Sequence, residues 1–460
     1  MSCTIVVGLG RSGVGAARLL KAQGAEVIVL EHADDAAAQR KAKALNEQGI
    51  EVKLGQALEL AQFEPWLAAI EQVVISPGIS WTHPTLEALR ALGVTIRGEM
   101  AIAWQALGHC PWIGITGTNG KTTVTHLLHH VLTQAGLEAP MAGNVGFSAA
   151  ELALACQDGS TPSPDWVVME MSSYQIEAAP EVAPRIGIWT TLTPDHLERH
   201  GTLEVYRSIK RGLLERSELA LLNGDDPDIS SNRNQWQHPQ VRWISTQAES
   251  KNSELRISSD DWVCRGKERL FSADALPMPG AHNRQNMLLV TAAALEAGLS
   301  PDCIEAALRS FPGVPHRLEP LGCVHDVAVF NDSKATNYDA AEVGLRAVQG
   351  PVVVLAGGQT KQGDASGWLE QLHTKACSLI LFGAGADELA SLAKTAGYPG
   401  ELLQCPELES AVNLAETAVQ RHQASSLLLS PACASFDQYR DFEARGDHFR
   451  TLITPLLDVA

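Results

Sequence analysis

Three stretches of this chain repeat one pattern: an apolar, β-branched run that ends in glycine or small residues and passes into a helical repeat. In the first the runs are Thr4–Val7, Glu26–Leu30 and Val73–Ile75. In the second they are Trp112–Thr116, Trp166–Met169 and Ile186–Trp189. In the third they are Pro351–Leu355, Ser378–Phe382 and Ser426–Leu429. Strands that are apolar along their whole length and alternate with helices belong to parallel sheets covered on both faces. The expected fold class is therefore α/β, and ligands are expected at the carboxyl ends of the strands. At 460 residues the chain is too long for one core, so several domains are expected. Gly93–Gly98 and Phe311–Pro315, which carry Gly or Pro between periodic blocks, are the linker candidates. The polar region around residues 230–275 reads as a small β-rich excursion inside the middle domain.

Composition narrows the function. No apolar window reaches the length of a membrane span, and the opening residues run straight into a strand without the pattern of a secretory signal. Nine cysteines are scattered without a CxxC pair, which fits a reducing cytoplasm rather than a disulfide framework or a structural zinc site. A net charge of −18 without a long run of Lys or Arg argues against a nucleic-acid partner. An acidic chain that handles anions must gather its cations locally, beside glycine loops.

Two such loops occur. The first in importance is Gly117-Thr118-Asn119-Gly120-Lys121-Thr122-Thr123, between the run ending at Thr116 and a helix with apolar residues at Leu127, Leu128 and Val131. Backbone N–H groups of such a turn and the helix N-terminus surround phosphate oxygens. Lys121 can then reach the β/γ-phosphates, and the Thr122 hydroxyl can ligate Mg²⁺. The strict pattern places a glycine where this chain has Ile115, so the loop is a variant of the rule. The second loop, Gly8-Leu9-Gly10-Arg11-Ser12-Gly13, follows the first run, and Glu31 ends the next. Its spacing suits a dinucleotide, another nucleotide diphosphate or a structural turn.

A third group of residues is acidic. Val167-Val168-Met169-Glu170 ends a buried strand in a carboxylate, and Thr193-Pro194-Asp195-His196-Leu197 follows another strand. A carboxylate beside a phosphate loop is what Mg²⁺·ATP requires. Alone, Glu170 reads equally as a solvated strand end and His196 as a structural histidine. Lys210, on the helical segment Tyr206–Arg211, reads from its residue type as an ordinary surface lysine.

The strings Gly117–Thr123, Glu170–Gln175, Thr193–Leu197, His282–Asn286, His316–Glu319 and Asn331–Asn337 occur in that order. Together they resemble the Mur ligases, ATP-dependent amide-forming enzymes of peptidoglycan precursor synthesis, over nearly the whole chain. Asn331–Asn337 and Ser430–Tyr439 are similar to the D-glutamate-adding branch. The resemblance implies a Rossmann-like domain over residues 1–97, a central P-loop ATPase-type α/β domain over 98–314 and a Rossmann-like domain over 315–460. It implies that Arg11, Ser12, Ser76, Pro77, Gly78, Asn144 and His196 touch a UDP-N-acetylmuramoyl-L-alanine acceptor. Gly117, Thr118, Asn119, Gly120, Lys121, Thr122, Thr123, Asn283, Asn286, Arg317 and Asp332 would hold ATP. Thr122, Glu170, His196 and a carbamylated Lys210 would hold Mg²⁺. D-glutamate would meet Thr336, Lys361, Ser435 and Phe442, with Lys334 and Lys361 offsetting its carboxylates. The catalytic set would be Lys121, Glu170, His196, Lys210 and Lys334.

The chemistry implied is attack of the acceptor carboxylate on the γ-phosphate, then attack of the D-glutamate amine on the acyl phosphate. Closure of the third domain would exclude water. A cytoplasmic monomer, with neither membrane insertion nor a nucleic-acid partner, completes the expectation. Two rivals stand beside it: an NAD(P) oxidoreductase built on Gly8–Gly13, and a nucleotide switch that uses only the Gly117–Thr123 loop.

Overall fold

The computed structural model describes residues 2–236, 238, 240–250, 252–278, 280–360 and 363–458. The chain forms two compact units, Met1–Phe311 and Pro312–Ala460. The first unit holds two sheets and the second holds one.

The first sheet contains β1 (Cys3–Val7), β2 (Glu26–Leu30), β3 (Glu51–Lys53), β4 (Ile70–Ile75) and β5 (Thr95–Gly98), in the order β3-β2-β1-β4-β5. All its pairings are parallel. Successive side chains face opposite ways. Val6, Val29 and Val74 therefore enter one core while Ile5, Ile28 and Val73 enter the other. The order reverses between β1 and β4, which opens a crevice at their carboxyl ends. The linker expected over Gly93–Gly98 is not one. Its Val94 and Ile96 are buried, and Thr95–Gly98 pairs with β4.

The second sheet contains β6 (Trp112–Thr116), β7 (Met141–Gly143), β8 (Val167–Glu170), β9 (Ile186–Trp189), β10 (Leu219–Asn223), β11 (Val241–Ile244), β12 (Leu255–Ile257), β13 (Trp262–Arg265) and β14 (Glu268–Ser272). Their order is β14-β13-β12-β11-β10-β9-β6-β8-β7. The β-rich excursion expected near 230–275 thus continues this sheet, its last strands turning antiparallel. The helices Arg11–Ala22, Glu99–Leu107 and Ala149–Gln157 lie between the two sheets. Leu19, Val29, Ile102, Leu152, Trp112 and Val167 share one core. The first two sheets are therefore packed through common apolar side chains, whose burial is the main stabilising term.

The second unit contains β15 (Glu319–Val324), β16 (Val327–Asn331), β17 (Val352–Gly357), β18 (Ala376–Phe382), β19 (Glu401–Cys405) and β20 (Ser426–Leu429), in the order β15-β16-β20-β17-β18-β19. Only the β15–β16 pair is antiparallel. Val352 and Val354 pack on one face, Val353 and Leu355 on the other. Among the described residues, no helix is long and apolar enough to cross a membrane.

Candidate active site

The phosphate loop leaves the carboxyl end of β6, which lies between β9 and β8. Residues from both neighbours therefore flank it. Thr118 N donates to Thr191 O (2.8 Å), Asn119 N to Thr191 Oγ1 (2.9 Å) and Thr190 Oγ1 to Asn119 O (2.5 Å). Gly117 has φ 151°, and a Cβ there would lie 2.0 Å from Thr190 Oγ1. The close packing, as well as the backbone angle, excludes a larger residue. Gly120 (φ 84°) leads into the helix Lys121–Gln134, whose buried face includes Thr122, Val124, Leu127, Leu128 and Val131. Its first intrahelical bond runs from Val124 N to Gly120 O (2.9 Å). The positive end of the helix dipole thus meets the loop, which suits a polyphosphate. Lys121 Nζ donates to Gly117 O and Thr118 O, each at 2.8 Å. A Cβ on Gly120 would also lie 2.9 Å from Asn286 Oδ1, which places Asn286 and its neighbour Asn283 against the loop.

Two buried charged residues stand beside that loop. Glu170 ends β8 with no exposure; its Oε1 accepts from Asn144 Nδ2 (2.7 Å), while its Oε2 is buried without a hydrogen-bond partner. A buried carboxylate oxygen with nothing to accept is costly unless a cation meets it. Lys210 is 1% exposed, which corrects the surface reading of this residue. Its Nζ donates to Gly117 O (2.9 Å) and Thr116 Oγ1 (3.3 Å). Burial, then the nearby Lys121 ammonium, holds its amine well below the ordinary lysine range.

The helix Leu203–Arg216 turns Tyr206, Lys210, Leu213 and Leu214 inward together. Tyr206 is a site residue that sequence reasoning missed. Its ring lies 4.6 Å from Lys210 Nζ, and its hydroxyl is 3.3 Å from Thr118 Oγ1. The i,i+4 spacing from Lys210 was the available signal. His196 stands at the rim with its side chain 43% exposed, near Asp195 (3.4 Å) and Glu198 (3.7 Å). Its ring packs on Tyr174 at 5.1 Å, and its φ of 54° is unusual for a residue other than glycine.

Among the described residues, no group of three His, Cys, Asp or Glu side chains could hold a metal alone. The orphaned Glu170 Oε2 and the Thr122 hydroxyl type fit Mg²⁺, which uses one or two carboxylates and completes its shell with water and phosphate oxygens.

The second glycine loop sits at the crevice of the first sheet. Ser76, Pro77 and Gly78 follow β4 in a turn closed by Ile79 N to Ser76 O (3.0 Å), beside Gly8–Gly13 after β1. Ser76 Oγ is buried with no hydrogen-bond partner. Glu31 accepts from Leu9 N (2.5 Å) and Ala33 N (2.9 Å), holding the loop's own backbone. Arg11 and Ser12 open the following helix. Arg11 donates to Gly146 O (2.9 Å) and Asn144 O (3.4 Å), so a continuous chain runs from this loop through Asn144 to Glu170. Arg199 Nη2 donates to Ile79 O (2.8 Å), tying the Ser76 turn to the segment that carries His196.

The second unit carries the remaining expected residues. Asp332 is buried and accepts from Leu318 N (3.2 Å) and Ser430 Oγ (3.0 Å). Burial pushes its carboxyl up to about 7. Arg317 is exposed, with its N donating to Val314 O (3.2 Å). Thr336, Ser435 and Phe442 all follow the carboxyl-end side of this sheet, and Lys334 Nζ lies 5.6 Å from the Phe442 ring centroid. Lys361 lies outside the described residues.

Comparison with known proteins finds relatives along the whole chain. Residues 2–98 match the Mur ligase MurD-like N-terminal domain, residues 115–294 the Mur ligase middle domain and residues 316–433 the Mur ligase glutamate ligase domain. The chain belongs to the Mur ligase family. It is 71% identical, over 100% of both chains, to a UDP-N-acetylmuramoylalanine–D-glutamate ligase of Synechococcus sp. (strain CC9605). It is 62% identical to the protein of that name from Parasynechococcus marenigrum (strain WH8102), over 98% of each. The crystal structure of a UDP-N-acetylmuramate-alanine ligase from Thermotoga maritima shares the fold at 18% identity and a TM-score of 0.59, covering 99% of this chain and 100% of the other.

Proposed function

We propose that this chain joins D-glutamate to the L-alanyl carboxylate of UDP-N-acetylmuramoyl-L-alanine, converting ATP to ADP and phosphate, as a cytoplasmic monomer in peptidoglycan precursor synthesis. The observation that carries the reading is the phosphate loop with Lys121, Lys210 and the unpartnered Glu170 Oε2 gathered beside it. The full-length relatives that bear the D-glutamate ligase name support the choice of substrates.

In this reading residues 1–97 hold the UDP end of the acceptor, residues 98–314 hold ATP and residues 315–460 hold D-glutamate. Arg11, Ser12, Ser76, Pro77, Gly78, Asn144 and His196 orient the acceptor. Its carboxylate oxygen attacks the γ-phosphorus and ADP leaves, giving an acyl phosphate. The D-glutamate amine then attacks the acyl carbon, loses a proton, and phosphate leaves with the oxygen the carboxylate supplied. Lys121 and the helix end behind it neutralise charge on the transferring phosphoryl group, where most of such catalysis lies. Asn283, Asn286, Arg317 and Asp332 hold the rest of the nucleotide; Thr336, Lys361, Ser435, Phe442 and Lys334 hold the amino acid.

Thr122, Glu170, His196 and Lys210 would hold Mg²⁺, which would supply charge neutralisation for the transferring phosphoryl group. Lys210 would serve this ion as a carbamate: its buried amine would add CO₂ and lose a proton, giving an anion with oxygen ligands.

The test is ADP release from the purified chain supplied with ATP, Mg²⁺ and UDP-N-acetylmuramoyl-L-alanine. Release that rises with D-glutamate and ignores L-glutamate is the expected result. Release independent of D-glutamate would defeat the reading.

A further inference from the structure

Arg445 lies on the helix Phe442–Ile453 with no exposure at all. A guanidinium so buried ordinarily faces a carboxylate. Here its hydrogen bonds go elsewhere. Nε donates to Ser333 Oγ (3.0 Å) and Nη2 to Ser333 O (2.8 Å). Nη1 donates to Gly357 O (3.2 Å) and Cys433 O (3.0 Å). Among the described residues, no carboxylate lies within ion-pair distance of it, although Asp437 acts on it from farther away. Burial lowers the group to about 10, so it stays a cation at neutral pH.

The partners of Arg445 come from three separate strand ends. Ser333 follows β16, Gly357 ends β17, and Cys433 follows β20. Thr336 and Ser435 lie on the first and third of these loops, and Phe442 begins the helix of Arg445. Ser333 Oγ in turn donates to Phe442 O (2.8 Å). The loops also pair with each other, Gln359 N to Ala434 O (2.8 Å) and Ala434 N to Gln359 O (2.9 Å). A Cβ on Gly358 would sit 2.2 Å from Ala434 O and 3.0 Å from Arg445 Nη1, so this junction has no slack.

We propose that Arg445 is the positioning residue of the amino-acid site: it fixes the three strand-end loops as one platform, and its unpaired buried charge is matched by the carboxylates of the incoming amino acid. A planar fork reaches backbone carbonyls in several directions at once, which an ammonium cannot do. A buried cation with no ion-pair partner beneath these loops also favours a dianionic amino acid over its neutral analogue.

The inference rests on D-glutamate being the substrate, so the wild-type chain is assayed first. Without D-glutamate dependence there, the function proposed above fails, whatever Arg445 does. With it, R445K and R445Q are compared by steady-state kinetics in all three substrates, by D-glutamate against D-glutamine, and by melting temperature. In both variants KM for D-glutamate is expected to rise about tenfold or more, while KM for ATP and for the acceptor stay within about twofold. R445Q alone is expected to lose the preference for D-glutamate over D-glutamine. If R445Q does not fold, R445K decides the positioning role through the same KM split. An unchanged KM for D-glutamate, or equal rises in all three KM values with a lowered melting temperature, would overturn the proposal.

Discussion

Lys210→Ala is expected to lower kcat by about 10²–10³-fold, with a short-chain carboxylate such as acetate restoring part of it. The substitution removes a buried ammonium that donates to both Gly117 O and Thr116 Oγ1, at the base of the phosphate loop. A plain structural lysine there would be replaced by nothing useful when acetate is added. If Lys210 works as a carbamate, acetate brings back the anion and its oxygens, and activity returns in proportion to acetate occupancy. The same logic makes the wild-type rate depend on bicarbonate during extended dialysis. The measurement is kcat of wild type and variant with and without acetate, alongside melting temperatures. A fully active alanine variant would remove Lys210 from the mechanism, and a dead variant without rescue would leave it a structural cation.

Glu170→Gln is expected to cost a similar factor in kcat, about 10²–10³-fold, while leaving the fold intact. The amide oxygen can still accept from Asn144 Nδ2, as Glu170 Oε1 does at 2.7 Å. The other position changes from an acceptor to an NH₂ donor, which repels a cation where Oε2 had no protein partner. Removing an unpaired buried charge also relieves a desolvation cost, so the melting temperature without Mg²⁺ is expected to stay equal or rise. Titrating Mg²⁺ against rate and melting temperature separates the two roles. A variant with lower stability and unaltered Mg²⁺ dependence would mean that Glu170 is a structural acid.

Much of the fold was legible because fully apolar runs can only be covered strands. Glu26–Leu30, Trp112–Thr116, Ile186–Trp189 and Ser426–Leu429 coincide with observed strands. Gly93–Gly98 was misread because glycines at both ends masked the inward-facing Val94 and Ile96. The phosphate loop was readable from its local pattern, since one strand, one turn and one helix build it. What holds that loop was not readable. Thr190 and Thr191 reach it only because β9 lies beside β6, an adjacency that chain order does not reveal.

Lys210 shows the limit most plainly. Residue type argues for the surface, yet Tyr206, Lys210, Leu213 and Leu214 share one helical face, and that face packs inward. Periodicity carried the better signal. The unpartnered oxygen of Glu170 and the carboxylate-free burial of Arg445 are tertiary facts, visible only once every neighbour is placed.

The central claim is that the acceptor carboxylate is activated by phosphoryl transfer before the amide forms. It is tested most directly with UDP-N-acetylmuramoyl-L-alanine labelled with ¹⁸O in the alanyl carboxylate. Turnover with ATP and D-glutamate should place one labelled oxygen in each phosphate released, read by mass spectrometry. Phosphate released without the label, at a rate matching amide formation, would contradict the account.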